Sequence, residues 1–346
     1  MRRFVLSTAL LAASFSAMAE DAKPKPKALP RIAINEPNDL KTDADYAIQG
    51  EYLGEMEHDG NKFKLGVQVI ARGNGKFALV GFKDGLPGAG WDGEKVKLQP
   101  VAVRTDDKVV ITKSADDTEA IGSIEKGVLT LEARGAKGKG TLKKVTRTSP
   151  TLGAKPPEGA HVLFAGASDL ENWDGGKLAE LSDGKFLAAT NPRSKKTFQS
   201  FTAHVEFRLA WMPNATGQGR SNSGVYVQDR YELQVLDSFG LSGENNECGG
   251  FYTISKPKVN MCLPPMVWQT YDIDFTAATF DADKKKTKPA IVTVKHNGVV
   301  VQDALELPKF TPGGKFGGEV PEPGAMFFQN HGDPVVFNNV WVADKK

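Results

Sequence analysis

The sequence predicts an all-β protein in which a two-sheet sandwich follows a smaller β-rich domain. Three observations point that way. Long segments alternate apolar and polar residues with the period of a strand, as in HVEFRLAW (His204 to Trp211), YELQV (Tyr231 to Val235) and TYDIDF (Thr270 to Phe275). Glycine is abundant, 36 of 346 residues, and punctuates those segments, while amphipathic helical windows are few. The length exceeds what one hydrophobic core usually fills, so two domains are expected.

The chain opens with MRRFVLSTALLAASFSAMA. Arg2 and Arg3, the apolar run Phe4 to Phe15 and the small-residue site Ala17-Met18-Ala19 are the three parts of a secretory signal at residues 1–19. That run is too short to cross a bilayer and no later stretch is long enough. The mature protein is therefore expected to be exported, soluble, and periplasmic or extracellular. Without Arg2 and Arg3 it has 42 basic and 42 acidic side chains, a balance that gives no reason to expect nucleic acid or an anionic membrane as partner. Residues 20–42 begin DAKPKPKALP, whose alternating Lys and Pro favour extended, solvated backbone and read as a linker.

Residues 43–150 read as an accessory β domain of short strands. Asn74-Gly75 is a hairpin turn signal between LGVQVIA and KFALVGF. GLPGAGW lacks the Lys-Ser/Thr ending of a phosphate-binding loop. His58 reads as a surface residue and Trp91 as a core or loop anchor. TSPTLGAKPPEGA (Thr148 to Ala160) has the composition of an interdomain connection, and the second domain occupies 157–346.

In that domain Val205, Phe207, Leu209 and Trp211 are expected in the core, with Glu206 and Arg208 on the opposite strand face. The central stretch is SNSGVYVQDRYELQVLDSFG (Ser221 to Gly240). Tyr231, Leu233 and Val235 share one face of it; Glu232 and Gln234 share the other. Asp237 is an odd number of residues from Glu232, so only a bulge near Leu236 would bring it into their row. Asp272 and Asp274 face outward together; two such aspartates can bind a hard cation, but an ordinary polar strand face is far more common. His296, at an HNG turn, is expected to face solvent. Cys248 and Cys262 are the only cysteines. Export makes a disulfide between them the expectation, with two buried thiols as the alternative. Without a His at ligand spacing they make a poor zinc site.

ELQVLD (Glu232 to Asp237) is similar to the bulged E-x-D-x-x-E signature of glycoside hydrolase family 16, with Gln234 in place of the central Asp and Asp237 in place of the final Glu. NSGVYV (Asn222 to Val227), RYELQVLDSFG (Arg230 to Gly240), GGFY (Gly249 to Tyr252), WQTYDIDF (Trp268 to Phe275) and FQNHG (Phe328 to Gly332) occur in this order. Over roughly residues 160–344 that order resembles the 3-keto-disaccharide hydrolase family. The resemblance implies a concanavalin-like jelly roll with its ligand cleft on the concave face of one sheet. It implies a carbohydrate-active hydrolase acting on an oligosaccharide or glycoside. Glu232, Asp237 and His331 are then the catalytic candidates. Gln234, Arg208, Arg230, Asn222, Tyr252 and Gln329 are the substrate-binding candidates.

A paired acid and base is what glycosidic-bond cleavage ordinarily requires. A sugar already oxidised at C3 offers another route, because the ketone acidifies the C2 hydrogen. One base, one acid and a donor to the enolate oxygen then suffice for elimination followed by water addition. No nicotinamide-binding fingerprint is visible, so the oxidation itself belongs elsewhere, and the sequence leaves open whether a divalent metal polarises the ketone. The alternatives are a conventional family 16-type glycosidase, which Gln234 disfavours, and a noncatalytic lectin-like sugar-binding protein, since one fold serves many functions.

Overall fold

The computed structural model describes residues 31–345, apart from 92, 94, 97–100, 113–119, 134–137 and 316. The export signal and the Lys-Pro run lie outside the described residues. The N-terminal β region is a closed up-and-down barrel. Strands Gly50–His58, Asn61–Ala71, Lys76–Lys83, Val101–Thr105, Lys108–Thr112, Ala120–Glu125, Val128–Ala133 and Gly138–Val145 each pair antiparallel with the next, and the last returns to the first. Closure leaves no edge strand among these eight to template aggregation. Alternate residues such as Tyr52, Val67, Leu79, Ile111, Leu129 and Leu142 fill the interior. Asn74 and Gly75 both take positive φ (53° and 71°), as the predicted hairpin turn requires.

The second region is a sandwich. One sheet runs Leu178–Leu181, Gly184–Ala188, Val336–Asp344, Phe201–Arg208, Trp268–Thr276, Ala290–His296 and Val299–Leu307, with His161–Phe164 also on Val336–Asp344. The other runs Trp173–Asp174, Arg193–Phe198, Gly324–Phe328, Ser223–Val227 and Tyr231–Val235. The predicted inward residues Val205, Phe207, Leu209, Tyr231, Leu233, Val235, Tyr271 and Phe275 all lie in the core between the sheets.

Trp211 behaves differently from that expectation. It is fully buried, but in the interior of the barrel. Its backbone pairs with Ile34 (N–H to O, 2.8 and 3.0 Å) and its ring meets Tyr46 edge-on at 5.3 Å. Asp43 places it: one carboxylate oxygen caps the helix Ala44–Ile48 through the Tyr46 N–H (2.9 Å), and the other accepts the indole N–H of Trp211 (3.0 Å). Residues 31–42, expected to be a solvated linker, are therefore built into the fold, with Leu40 buried. Pairing of Ile34 with Trp211 recruits them.

The Thr148–Ala160 connection is docked as well. On the outer face of the larger sheet His204 is buried between Asp272 (Nδ1 to Oδ1, 2.6 Å) and Glu206 (Nε2 to Oε1, 3.3 Å) and stacks on Trp341. Burial lowers the His204 pKa, but the two carboxylates outweigh it and hold the imidazole above its ordinary value. Glu206 accepts from the Gly153 N–H (2.6 Å), and Asp272 accepts from the Thr151 hydroxyl (2.8 Å). Asp272 is thus engaged by His204 and Thr151, and Asp274 by Lys345. Among the described residues no group of three or more His, Cys, Asp or Glu gathers as metal ligands.

Two further expectations are corrected. His296 is fully buried: its Nε2 meets Gln269 Oε1 at 3.0 Å, and burial drives its pKa down to about 3. Cys248 and Cys262 are free thiols in the core, not a disulfide. The Cys248 thiol lies 3.1 Å from the Tyr271 hydroxyl and the Cys262 thiol 3.5 Å from the Leu236 carbonyl, so both serve as small core groups.

Trp211→Ala should empty the barrel mouth and orphan one oxygen of Asp43. Large aromatic truncations in a core cost about 3–5 kcal/mol. Urea unfolding followed by fluorescence and circular dichroism should show a loss of that size. A loss below about 1 kcal/mol would mean that the mouth repacks without the indole.

Candidate functional site

Strand pairing assembles a row across the smaller sheet. Asp174 pairs with Arg193, Arg193 with Phe327, Phe327 with Tyr226, and Tyr226 with Glu232. Their side chains share the face turned away from the core, because neighbours Val225, Val227, Tyr231, Leu233 and Phe328 point into it. The Arg193 guanidinium lies over the Phe327 ring at 3.8 Å and donates from Nε to Asp229 (2.7 Å). Next to this row, Gly224 pairs with Gln234, and the Gln329 N–H donates to the Gly224 carbonyl (2.9 Å). Gly224 must lack a side chain: a Cβ there would stand 2.7 Å from Glu232 Oε1.

The hairpin behind this pairing is fixed by an unusual turn. Gln228 and Asp229 both have positive φ (55° and 54°) in a type I′ geometry, closed by Arg230 N–H to Val227 O at 3.2 Å. Glycine or asparagine would relieve the strain; buried side-chain bonds oppose it instead. Gln228 donates to the carbonyls of Phe198 (3.0 Å) and Gln199 (2.9 Å), and Asp229 takes Arg193. The outer edge of Tyr231–Val235 is covered by the GGFY segment. Gln234 exchanges backbone bonds with Gly249 and Gly250, and the Tyr252 N–H donates to the Glu232 carbonyl (3.0 Å). Thr311 completes the edge through its hydroxyl, which accepts from the Glu232 N–H (2.8 Å).

The Tyr226 hydroxyl is the hub of the site. It lies 2.8 Å from Glu232 Oε2, 2.5 Å from the Pro312 carbonyl and 3.2 Å from Gln329 Nε2. The carbonyl can only accept and the amide NH₂ only donates, so the single phenolic proton has two competing acceptors whenever Glu232 is ionised. Both contacts are hydrogen-bonded together only when Glu232 carries a proton and donates to the phenol oxygen. Burial acts in the same sense and pushes the Glu232 carboxyl up to about 7, against the opposing effect of the Tyr226 hydroxyl. Burial and the adjoining Glu232 raise Tyr226 far above the usual phenol range, so it stays protonated.

Two amide oxygens adjoin the hub. Gln234 donates from Nε2 to Asn222 Oδ1 (2.9 Å), and Asn222 donates to the Gln218 carbonyl (2.8 Å). Gln234 Oε1 and Gln329 Oε1 are buried without a hydrogen-bond partner. A carboxyl titrating near neutrality, a fixed phenol and free acceptors amount to an acid–base site with places for hydroxyl donors.

Glu232, Gln234, Asn222, Tyr252 and Gln329 therefore lie together. Asp237 does not join them. The strand is regular but ends at Val235, and Asp237 is a buried partner of Arg220 (Nε to Oδ2, 2.6 Å). The required bulge does not form, because no ladder continues past Val235 to be bulged. Arg208 belongs to the outer face of the opposite sheet, where it pairs with Asp183 and lies over Phe186 (5.2 Å) and Trp268 (5.1 Å). The core separates it from Glu232. Arg230 braces the turn through Gln228 (2.8 Å) and the Glu322 carbonyl (2.6 Å). His331 is exposed on the loop after Gly324–Phe328, where its charge acts on Asp333. Tyr226 and Arg193 escaped the sequence reading. Alternation around Gly224 held the signal for Tyr226, whereas Arg193 is far from Glu232 in sequence.

Residues 159–343, more than half of the chain, match the family described as the 3-keto-alpha-glucoside-1,2-lyase-like domain. No curated protein matches the chain. Among solved structures, a provisionally named glycosyl hydrolase from Parabacteroides distasonis shares 31% identity over 55% of this chain and 85% of its own, with a TM-score of 0.47. A second from the same organism shares 19% identity over 54% and 99%, with a TM-score of 0.38.

The raised Glu232 pKa has a measurable thermodynamic consequence. The folded state holds the proton more tightly than the unfolded state, where the ordinary value is 4.5. Stability from this group is complete below pH 4.5 and is lost as pH rises through about 7. The loss is on the order of 3 kcal/mol at pH 8. Glu232→Gln mimics the protonated acid, so it should be near-neutral at pH 4 and stabilising by roughly that amount at pH 8 in urea unfolding. Equal stabilities at pH 8 would mean that the carboxylate is well solvated.

Proposed function

Because the chain belongs to the 3-keto-alpha-glucoside-1,2-lyase-like family, we propose that it cleaves the glycosidic bond of 3-keto-glucosides by elimination and hydration. Family membership makes it a carbohydrate-active protein. The observation that carries the finer reading is the site itself: Glu232, buried and titrating near 7, stands against Tyr226, while the other carboxylate of its row, Asp174, is at the opposite end, four strand spacings or roughly 19 Å away. Such a site lacks the closely spaced acid–nucleophile pair of a retaining glycosidase and supplies the single base that elimination needs.

In this reading the ionised Glu232 removes the C2 proton of the oxidised sugar. The C2 electron pair forms the enolate, and a second shift expels the C1 oxygen substituent, giving a 1,2-unsaturated ketone. The leaving oxygen takes the proton held by Glu232, with Tyr226 hydrogen-bonded to the carboxyl throughout. Water then adds at C1 while a proton returns to C2, so the overall change is hydrolysis. Gln234 and Gln329 are suited to orient sugar hydroxyls through their free amide oxygens. Gly313 lies so close that a Cβ there would be 2.5 Å from the Tyr226 hydroxyl, so the Thr311–Gly314 segment covers the site and must shift to admit substrate. The signal-like leader at residues 1–19 supports a periplasmic or extracellular setting.

The test pairs native and 3-keto forms of one α-glucoside with the purified mature protein in D₂O. We expect turnover of the 3-keto form alone, with deuterium incorporated at C2 of the product. Glu232→Gln should lower kcat by about 10²–10⁴-fold, and Tyr226→Phe should shift the pH profile by removing the hydrogen bond. Cleavage of the native glycoside without C2 exchange would overturn elimination, and sugar affinity without any turnover would identify a lectin.

A further inference from the structure

Residues 31–36 form a strap along the sandwich, and its first residue ends beside the site. Ile34 pairs with Trp211, the Asn35 carbonyl accepts from Arg208 Nη2 (3.3 Å), and Glu36 accepts from the Ser182 N–H (2.9 Å). Arg31 Nη2 bonds to the Asp333 carboxylate and to the Gly219 carbonyl (3.4 Å), so it bridges the two loops that flank Asn222. Asp333 is almost wholly buried, and its other oxygen accepts from the Asn222 N–H (2.8 Å). The Asn222 side chain donates to the Gln218 carbonyl (2.8 Å) and accepts from Gln234 Nε2 (2.9 Å). An unbroken line of polar contacts therefore joins Arg31 to Gln234, which shares a strand face with Glu232.

The Arg31 side chain is 52% exposed and that of Asp333 only 1%. Between two solvated groups such a pair would contribute little, but here removal of the cation strands a buried carboxylate. Burial already pushes the Asp333 carboxyl up, against the Asn222 N–H, Arg31 and His331. Without Arg31 that carboxyl gains a proton or turns to water, and either change weakens its hold on Asn222. Ser221, just before Asn222, has positive φ (46°), a conformation that persists only while surrounding bonds impose it. Arg31 lies outside residues 159–343, so the family domain by itself does not supply this brace. We propose, resting on the function inferred above, that Arg31 is a positioning residue for the Glu232 site: through Asp333 it fixes Asn222, and through Asn222 the Gln234 amide that orients the sugar. It thereby governs affinity for the glycoside and not the proton transfer at Glu232.

The experiment measures hydrogen exchange resolved to the Asn222 amide, together with steady-state kinetics on a 3-keto α-glucoside, for the mature wild type, Arg31→Gln and Arg31→Lys. Arg31→Gln should speed exchange at Asn222 about tenfold while exchange in Ala290–His296 stays unchanged. It should raise KM about three- to tenfold and leave kcat within about twofold, the mark of lost uniform binding. Arg31→Lys should restore most of both, since it keeps a cation that meets Asp333. A merely structural Arg31 would speed exchange across the whole sandwich and leave KM unmoved. Unchanged exchange at Asn222, an unchanged KM, or a fall in kcat at constant KM overturns this role. The exchange measurement needs no substrate, so it separates this failure from failure of the proposed reaction. If the wild type turns over no 3-keto-glucoside, that reaction fails; calorimetric Kd for the same glucoside then replaces KM, and a Kd unchanged in Arg31→Gln overturns the role.

Discussion

The phenolic proton of Tyr226 has two acceptors within reach, the Pro312 carbonyl and the Glu232 carboxyl, and it satisfies only one. That constraint ties an ionisation to a covering segment. With Glu232 protonated, carboxyl, phenol and carbonyl form a satisfied chain across the site and hold the Thr311–Gly314 segment down. With Glu232 ionised, the proton is drawn toward the carboxylate and Pro312 loses that bond, while Thr311 stays tied to Arg230 and to the Glu232 N–H. A buried acid held near neutrality by its burial is suited to chemistry that needs a base near neutral pH.

Other features follow from keeping that chain in register. The strained Gln228–Asp229 turn fixes which residue of Ser223–Val227 faces Glu232, and a slip of one would put Tyr226 in the core. Gly224 leaves room for the carboxyl, and GGFY covers the edge that would otherwise let the strand slide. The larger sheet contributes no predicted site residue in place. Its outer face is occupied by His204 with its two carboxylates, which hold the chain that leaves the barrel.

Barrel and sandwich are joined by a shared apolar residue and a shared ionic cluster. Trp211 leaves the end of a sandwich strand and fills the barrel, and Arg220 leaves the start of the Ser223–Val227 region and reaches the barrel carbonyl of Ala71. The first is an ordinary hydrophobic contact. The second pairs Arg220 with Asp237, carries a donor to the barrel carbonyl of Ala71 and leaves one buried Arg220 donor without a partner.

Alternation with period two was enough to establish the all-β class, the inward residues of the main strands and the placement of Glu232 and Gln234 on one strand face. These properties are local, since each depends only on which way neighbouring side chains point. Motif order carried the sandwich and the family for the same reason, one step longer in range. The tertiary structure alone decided which strands lie side by side. Arg208 has the alternation of a cleft residue but is on the other sheet, and Trp211 has that of a sandwich core residue but fills the barrel. Asp237 was assigned by parity along a strand that stops two residues earlier, where Arg220 takes its charge. Tyr226 and Arg193 became neighbours of Glu232 through cross-strand pairing, a relation between distant segments that no single stretch of sequence contains.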